Sequence, residues 1–262
     1  MDLGYVTRIG IGAAYHAGKI LQAYFGKLSK IRKKGVIDLV TEADIEAEKR
    51  IIAIIQRSFP DHSIHSEESG LKRDGAKYQW IIDPLDGTTN FVHNVGLFAV
   101  SIAFAEGENV LVGVVLNPMT GELFTAVIGQ GAELNGRPIK VSNSEIVQES
   151  LLATGFPYDI KERILPVMTR LSVCLKASQG VRRLGSAALD LCFVACGRFD
   201  GFWEQNLNPW DTAAGFRIGT EAGAVITDFA NKPFAIEGKE ILATNGKIHK
   251  EMLSLLKLKD IQ

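Results

Sequence analysis

The segment Trp80-Ile81-Ile82-Asp83-Pro84-Leu85-Asp86-Gly87-Thr88-Thr89-Asn90-Phe91 constrains this chain more than any other, because an apolar run ends in two carboxylates three residues apart. Trp80, Ile81 and Ile82 read as a buried strand. Asp83 stands where the strand gives way to a turn, the position at which α/β sheets present ligand-binding groups. The ring of Pro84 fixes its own φ and holds Asp83 and Asp86 in a set relation, with the Leu85 carbonyl available to the same centre. Three hard oxygen donors result, an arrangement suited to metal ions. Gly87, Thr88 and Thr89 follow, and a short helix opening there turns its unbonded N–H groups toward an anion such as phosphate. The plainer alternative is an ordinary Asp-Gly turn with both carboxylates solvated. A third, the Asp-x-Asp-Gly-Thr pattern of phosphatases that form an aspartyl-phosphate, is out of register: Pro84 occupies the place of the nucleophilic carboxylate.

Further carboxylates lie elsewhere in the chain. His65-Ser66-Glu67-Glu68-Ser69-Gly70 reads as a strand end running into a loop, with Glu67 or Glu68 as a fourth acidic ligand. Asp211 begins a helix of small residues after Asn208-Pro209-Trp210, where it also makes a good helix-entry residue. Asp44 follows Val40-Thr41-Glu42-Ala43 ahead of an amphipathic helix carrying Ile45, Ile51, Ile52 and Ile55, and Thr41 with Asp44 forms a passable capping box.

Taken together, these segments resemble the inositol monophosphatase family of magnesium-dependent, lithium-sensitive sugar phosphatases. One family signature corresponds to Trp80–Phe91 and another to Trp210–Gly215, with Val40–Asp44 and Ser66–Ser69 at the matching places. Arg182-Arg183-Leu184-Gly185-Ser186-Ala187-Ala188-Leu189-Asp190-Leu191 resembles the bacterial and archaeal branch. The resemblance implies a layered αβαβα sandwich of mixed α/β class. An N-terminal subdomain over residues 1–145 would carry most metal ligands, and a C-terminal one over 146–262 would carry Asp211 and the substrate pocket. It implies two or three Mg²⁺ ions: Glu67, Asp83 and the Leu85 carbonyl at one, Asp83, Asp86 and Asp211 at the next. Asp44 would orient the Thr88 hydroxyl toward the attacking water, Glu67 belonging to the same catalytic group. The Gly87 and Thr88 amides would hold phosphate, while Arg182, Gly185, Ser186, Ala187, Glu204 and Asp211 would meet the rest of the substrate. Lys33 would sit on a loop over the metals.

The implied reaction is hydrolysis of a small phosphorylated polyol or sugar, myo-inositol 1-phosphate first, without a covalent intermediate. Fructose 1,6-bisphosphate and nucleotide 3′-phosphates remain alternatives, because Phe156-Pro157-Tyr158 and Arg183 depart from the animal inositol phosphatases. One bacterial relative is also an RNA-associated transcription antitermination factor, which leaves open a partner-binding protein with secondary phosphatase activity.

Composition is that of an ordinary enzyme. Hydrophobic residues make up 46% of 262, ample for a core, and a net charge of −1 gives no electrostatic reason to expect nucleic acid or an anionic membrane. Three cysteines, Cys174, Cys192 and Cys196, form no secreted framework and read as packing residues in a reducing compartment. No apolar stretch serves as a signal core or membrane span, so a cytoplasmic protein is expected, and the family resemblance implies a homodimer. The five histidines show no metal-ligand pairing, and the Gly-rich stretch 129–136 lacks both nucleotide fingerprints.

Element by element, Val6, Ile9, Ala13, Ala17 and Ile20 share one helical face, and Lys30–Gly35 reads as a basic hairpin. Three apolar runs after the Asp83 strand, separated by Glu106–Asn109 and Pro118–Gly121, form an antiparallel meander. From about residue 146 strands and helices alternate: strands at Leu151–Thr154 and Gly201–Glu204, helices at Ile160–Lys176, Ser186–Cys196 and Trp210–Ala222.

Overall fold

Asp2 caps the first helix by accepting from the Tyr5 amide at 3.0 Å, and α1 (Leu3–Tyr24) then buries Val6, Ala13, Ala14, Ala17 and Leu21. The computed structural model describes residues 1–28, 31–33, 39–72, 75–157 and 159–258. A short antiparallel pair, β1 (Ile31–Lys33) and β2 (Leu39–Thr41), leads into α2 (Glu42–Ser58). Next come β3 (Ser63–Ser66), β4 (Gly70–Lys72), β5 (Tyr78–Asp86), the single turn α3 (Thr88–Val92), and the meander β6 (Ala99–Glu106), β7 (Asn109–Asn117) and β8 (Glu122–Val127). Two short strands, β9 (Ala132–Leu134) and β10 (Arg137–Ile139), complete the first half. The second half runs β11 (Leu151–Thr154), α4 (Ile160–Ala177), β12 (Gly180–Arg182), α5 (Ala187–Ala195), β13 (Gly201–Gln205), α6 (Pro209–Glu221), β14 (Val225–Thr227), β15 (Glu240–Thr244) and α7 (His249–Leu256).

The strands make two main sheets. The larger is ordered β10-β9-β8-β7-β6-β5-β3-β4 and is antiparallel except between β3 and β5; the smaller is ordered β12-β11-β13-β15-β14. Alternation along the strands explains the layers, since successive side chains point to opposite faces. Trp80, Ile82, Ile102 and Phe104 pack with α1 and α2, while Ile81, Ala103 and Val115 pack with Ala188 and Leu189 of α5 and Ala213, Ala214 and Ile218 of α6. Leu191 and Val194 of α5 meet Ala153, Phe202 and Ile241 of the smaller sheet. The far face of that sheet carries Leu152, Trp203 and Leu242 against Cys174 of α4 and Met252 and Leu256 of α7. The result is the expected αβαβα sandwich. Because both faces of both sheets are covered, the strands read as continuous apolar runs rather than alternating ones.

One local departure decides where the site lies. The Asp83 strand does not end at Asp83 as the sequence suggests; it continues to Asp86 through a bulge. Asp83 pairs with Ser101 and Asp86 with Ala99, so three steps along β5 oppose two along β6. In an unbroken strand residues three apart point to opposite faces. The extra residue resets the alternation: Leu85 joins the α1/α2 core, and Asp83 and Asp86 both join the polar group described below. Pro84 fits this position because it has no N–H to contribute to the ladder.

The inner helical layer tolerates little side-chain volume. A Cβ at Gly113 of β7 would stand 2.5 Å from the Ala214 carbonyl oxygen of α6. We expect Gly113→Ala to push α6 off the sheet and lower stability by about 1–3 kcal/mol, read as a drop in thermal midpoint; an unchanged midpoint would mean that α6 does not rest on β7 this closely.

Candidate active site

Asp83, Asp86 and Asp211 each have one oxygen tied to a nearby N–H. The Leu85 amide donates to Asp83 Oδ1 at 2.8 Å, the Ala188 amide to Asp86 Oδ2 at 2.8 Å, and the Asn208 amide to Asp211 Oδ2 at 2.8 Å. Asp86 Oδ2 also accepts from Ser186 Oγ at 2.5 Å. These bonds hold each carboxylate in one orientation. Asp83, Asp86 and Asp211 each contribute an oxygen to a group whose members lie within 4.8 Å of one another. Asp211 is the N3 residue of α6, so its role as a helix cap and its place in the cluster use the same side chain. Glu67 follows β3, its amide donating to the Ile82 carbonyl at 3.2 Å, and its charge acts on both Asp83 and Asp211. Glu48 of α2 steadies that loop by accepting from Ser69 N and Oγ at 3.0 and 3.1 Å.

Thr88 stands beside the cluster. Its hydroxyl lies 3.2 Å from Asp44 Oδ1 and 3.1 Å from the Leu85 carbonyl oxygen, with donor geometry to either. Asp44 Oδ2 in turn accepts from the Thr41 amide at 2.9 Å and from the Thr41 hydroxyl. The capping box of α2 thus aims the other Asp44 oxygen at Thr88. Gly87 precedes α3 at φ 97°, the left-handed region, and a Cβ there would lie 3.1 Å from the Gly185 and Leu97 carbonyl oxygens. Asn90 draws those two segments together by donating to Leu97 O at 2.6 Å and Leu184 O at 2.7 Å.

Burial, and then the charges of Glu67, Asp86 and Asp211, push Asp83 well above the usual carboxylate range. Burial and the Asp86 charge do the same to Asp211. Burial lifts Asp86 to about 6, against the downward pull of Ser186, the Ala188 amide and Arg183. Burial also raises Asp44, opposed by its hydrogen bonds from Thr41 and Thr88. Like charges this close in a dry site favour binding a proton or a cation. The donors are hard oxygens on rigid supports, so the residues fit a hard divalent ion.

A cleft of about 240 Å³ opens over this group, lined by Asp86, Gly87, Thr88 and Asp211 together with Gly185, Ser186, Ala187 and Glu204. Arg182 lies elsewhere: its exposed side chain turns back to the Val181 carbonyl, 3.3 Å away. The neighbouring Arg183 lines the cleft instead, its guanidinium 5.5 Å from the Phe156 ring centroid. Successive residues leaving a strand face opposite ways, and the sequence alone does not say which arginine faces inward. Ser186 spends its hydroxyl on Asp86, a supporting role that residue type did not disclose. Gly155 and Asp190 also line the cleft. Asp190 had a legible signal, four residues after Ser186 on one helical face. Gly155 had none: a Cβ there would overlap the Glu204 carboxyl group, 2.0 Å from Oε2. The Lys33 side chain and Tyr158 lie outside the described residues. His93 is exposed, and Cys174 and Cys192 are buried free thiols.

Burial lifts Glu204 to about 8, with the Arg183 charge pulling down and the Asp86 charge pushing up. A carboxyl whose folded-state pKa is raised supports folding while protonated, and that contribution is lost as pH climbs from the ordinary glutamate value of 4.5 through about 8. In chelator, Glu204→Gln should therefore match wild type near about pH 5 and surpass it in thermal midpoint increasingly toward about pH 9. A gap that stays flat with pH would show that Glu204 is not held protonated by its surroundings.

Comparison with known proteins shows which family this chain belongs to. Residues 2–259 match the sequence model of the Inositol monophosphatase family. An inositol-1-monophosphatase from Synechocystis is 46% identical over 97% of this chain and 90% of its own length. A Nus factor SuhB from Haemophilus influenzae is 40% identical over 96% of each. The solved inositol monophosphatase of Anabaena (Nostoc) superposes with a TM-score of 0.89 at 43% identity, over 98% of this chain and 96% of that one. The chain belongs to the inositol monophosphatase family and is a phosphatase, a phosphoric monoester hydrolase of a metal-dependent family.

Proposed function

We propose that this protein catalyses Mg²⁺-dependent hydrolysis of a small phosphorylated polyol, with myo-inositol 1-phosphate as the leading substrate. The observation that carries the reading is the group formed by Asp83, Asp86 and Asp211 beneath a cleft whose wall includes the Gly87 and Thr88 backbone. Glu67, Asp83 and the Leu85 carbonyl would hold one ion, and Asp83, Asp86 and Asp211 a second. When bound, Mg²⁺ supplies the positive charge that makes water a nucleophile at neutral pH and offsets charge on the departing oxygen.

The chain's own groups do the rest. Thr88 donates to Asp44, which leaves its lone pair to accept a proton of the attacking water. Asp44, buried and with raised proton affinity, is suited to take up that proton through the Thr88 hydroxyl. Water forms the new P–O bond as the ester P–O bond breaks, and the alcohol leaves after gaining a proton from solvent. The amides of Gly87 and Thr88 hold the phosphate through backbone donors, so affinity for that group depends little on side chains. Glu204 accepts hydroxyl hydrogens from the alcohol, and Arg183 takes the place at the cleft that Arg182 was expected to fill. No described helix is long and apolar enough to cross a membrane. A cytoplasmic homodimer completes the reading, on the family resemblance.

A panel of sugar, polyol and nucleotide phosphates assayed with Mg²⁺ tests the reading. We expect phosphate release from inositol 1-phosphate, loss with a chelator and inhibition by Li⁺. Inactivity on every ester would instead favour the partner-binding role suggested by relatives named as Nus factors.

Within the same assay, Asp44→Asn should lose about 10- to 100-fold in kcat, because Asp44 acts one shell from the ions, while Asp83→Asn should lose more because it serves both. Both variants should keep the wild-type circular dichroism. Near-normal turnover in Asp83→Asn would end the two-ion assignment.

A further inference from the structure

We propose that Asp190 is a specificity-determining residue of the cleft, its carboxyl group accepting a hydrogen bond from a hydroxyl of the alcohol part of the substrate. This rests on the phosphorylated-polyol reading and extends it: two acidic side chains, Asp190 and Glu204, would together select an alcohol with at least two free hydroxyls. Ser186 caps α5, and its hydroxyl is spent on Asp86, which turns that face of the helix toward the cleft. Asp190 lies one turn further along the same face, is 1% exposed and lines the cleft. Its Oδ1 has no hydrogen-bond partner, not even from Arg183, whose charge acts on it.

Nothing in the packing of α5 calls for a carboxyl group here. The helix reads Ala-Ala-Leu-Asp-Leu-Cys-Phe-Val-Ala, and Asp190 is its one charged residue among buried apolar neighbours. A buried acceptor without a partner costs stability, and replacing it with an apolar group of similar shape removes that cost. An acidic residue in such a place is explained by a donor that arrives with the ligand. Hydroxyl groups are such donors, and a site built to hydrogen-bond a hydroxyl discriminates strongly against a ligand that lacks it. Burial and the nearby Glu204 charge raise the proton affinity of Asp190. In the protonated form it offers a donor as well as an acceptor, and a hydroxyl can use both.

The experiment compares kcat/KM on inositol 1-phosphate with that on phenyl phosphate, whose leaving group carries no free hydroxyl, for the Mg²⁺-loaded wild type, Asp190→Ala, Asp190→Leu and Asp190→Asn. The leucine variant fills the volume should the alanine variant fold poorly. We expect the polyol-to-phenyl ratio to fall about tenfold or more in the alanine and leucine variants, mainly through KM, and to stay within about threefold in Asp190→Asn, which keeps an acceptor. Thermal midpoints in chelator should not fall for Asp190→Leu. An unchanged ratio in the two variants that lack an acceptor overturns this proposal while leaving the phosphatase reading intact. So does equal loss on both esters with a lowered midpoint, the mark of a structural residue. A wild type that does not cleave inositol 1-phosphate overturns the polyol reading itself, and this proposal with it.

Discussion

The arrangement depends on holding carboxylates together in a place where they repel one another. Asp83, Asp86 and Asp211 share a space within 4.8 Å, with Glu67 close enough for its charge to be felt. Water would screen these charges, but burial removes it, and the proton affinities rise accordingly. Such a cluster does not form because its members attract. It forms because the apolar layers on either side of β5 fix the backbone that carries them: Trp80 and Ile82 against α1 and α2, Ile81 against α5 and α6. The core supplies the favourable free energy, and the site stores an electrostatic demand that a bound cation would answer.

The same economy appears in how the side chains are aimed. Asp44 and Asp211 are both N3 residues of helices, each with one oxygen taken by the N-cap amide. A helix start must satisfy its exposed N–H groups in any case. Here that requirement also sets the direction in which the second oxygen points. Asp86 is held by Ser186 and the amide of Ala188 at the start of α5 in the same manner. The N-termini of α2, α5 and α6 therefore converge on the site, and their partial positive ends lessen the cost of gathering negative charge there.

The wall of the cleft follows a different logic, one of close approach. Gly155 leaves room for the Glu204 carboxyl group, Gly185 for the Arg183 guanidinium, and Gly87 for the Gly185 carbonyl. A methyl group at Gly155 would displace an acidic side chain rather than merely crowd it. The shape of the cleft is set as much by these missing Cβ atoms as by the groups that line it.

Much of this was legible along the chain. The two Asp three apart, the Thr41 and Asp44 capping box, the meander and the alternating second half are local patterns, governed by strand and helix periodicity and by capping, and a single stretch of residues expresses them. What the sequence could not show were relations between distant segments. The bulge that turns Asp83 and Asp86 to one side is defined only against β6. The choice of Arg183 over Arg182 depends on which face of β12 meets the cleft, and the tie from Ser186 to Asp86 spans 100 residues. The unpartnered oxygen of Asp190 is a property of surroundings assembled from both sheets. Sequence by itself determined which chemistry was available, because residue types and short spacings fix donors, charges and caps. Tertiary structure alone decided which of those groups share a space, because burial and pairing are set by packing between layers rather than along the chain.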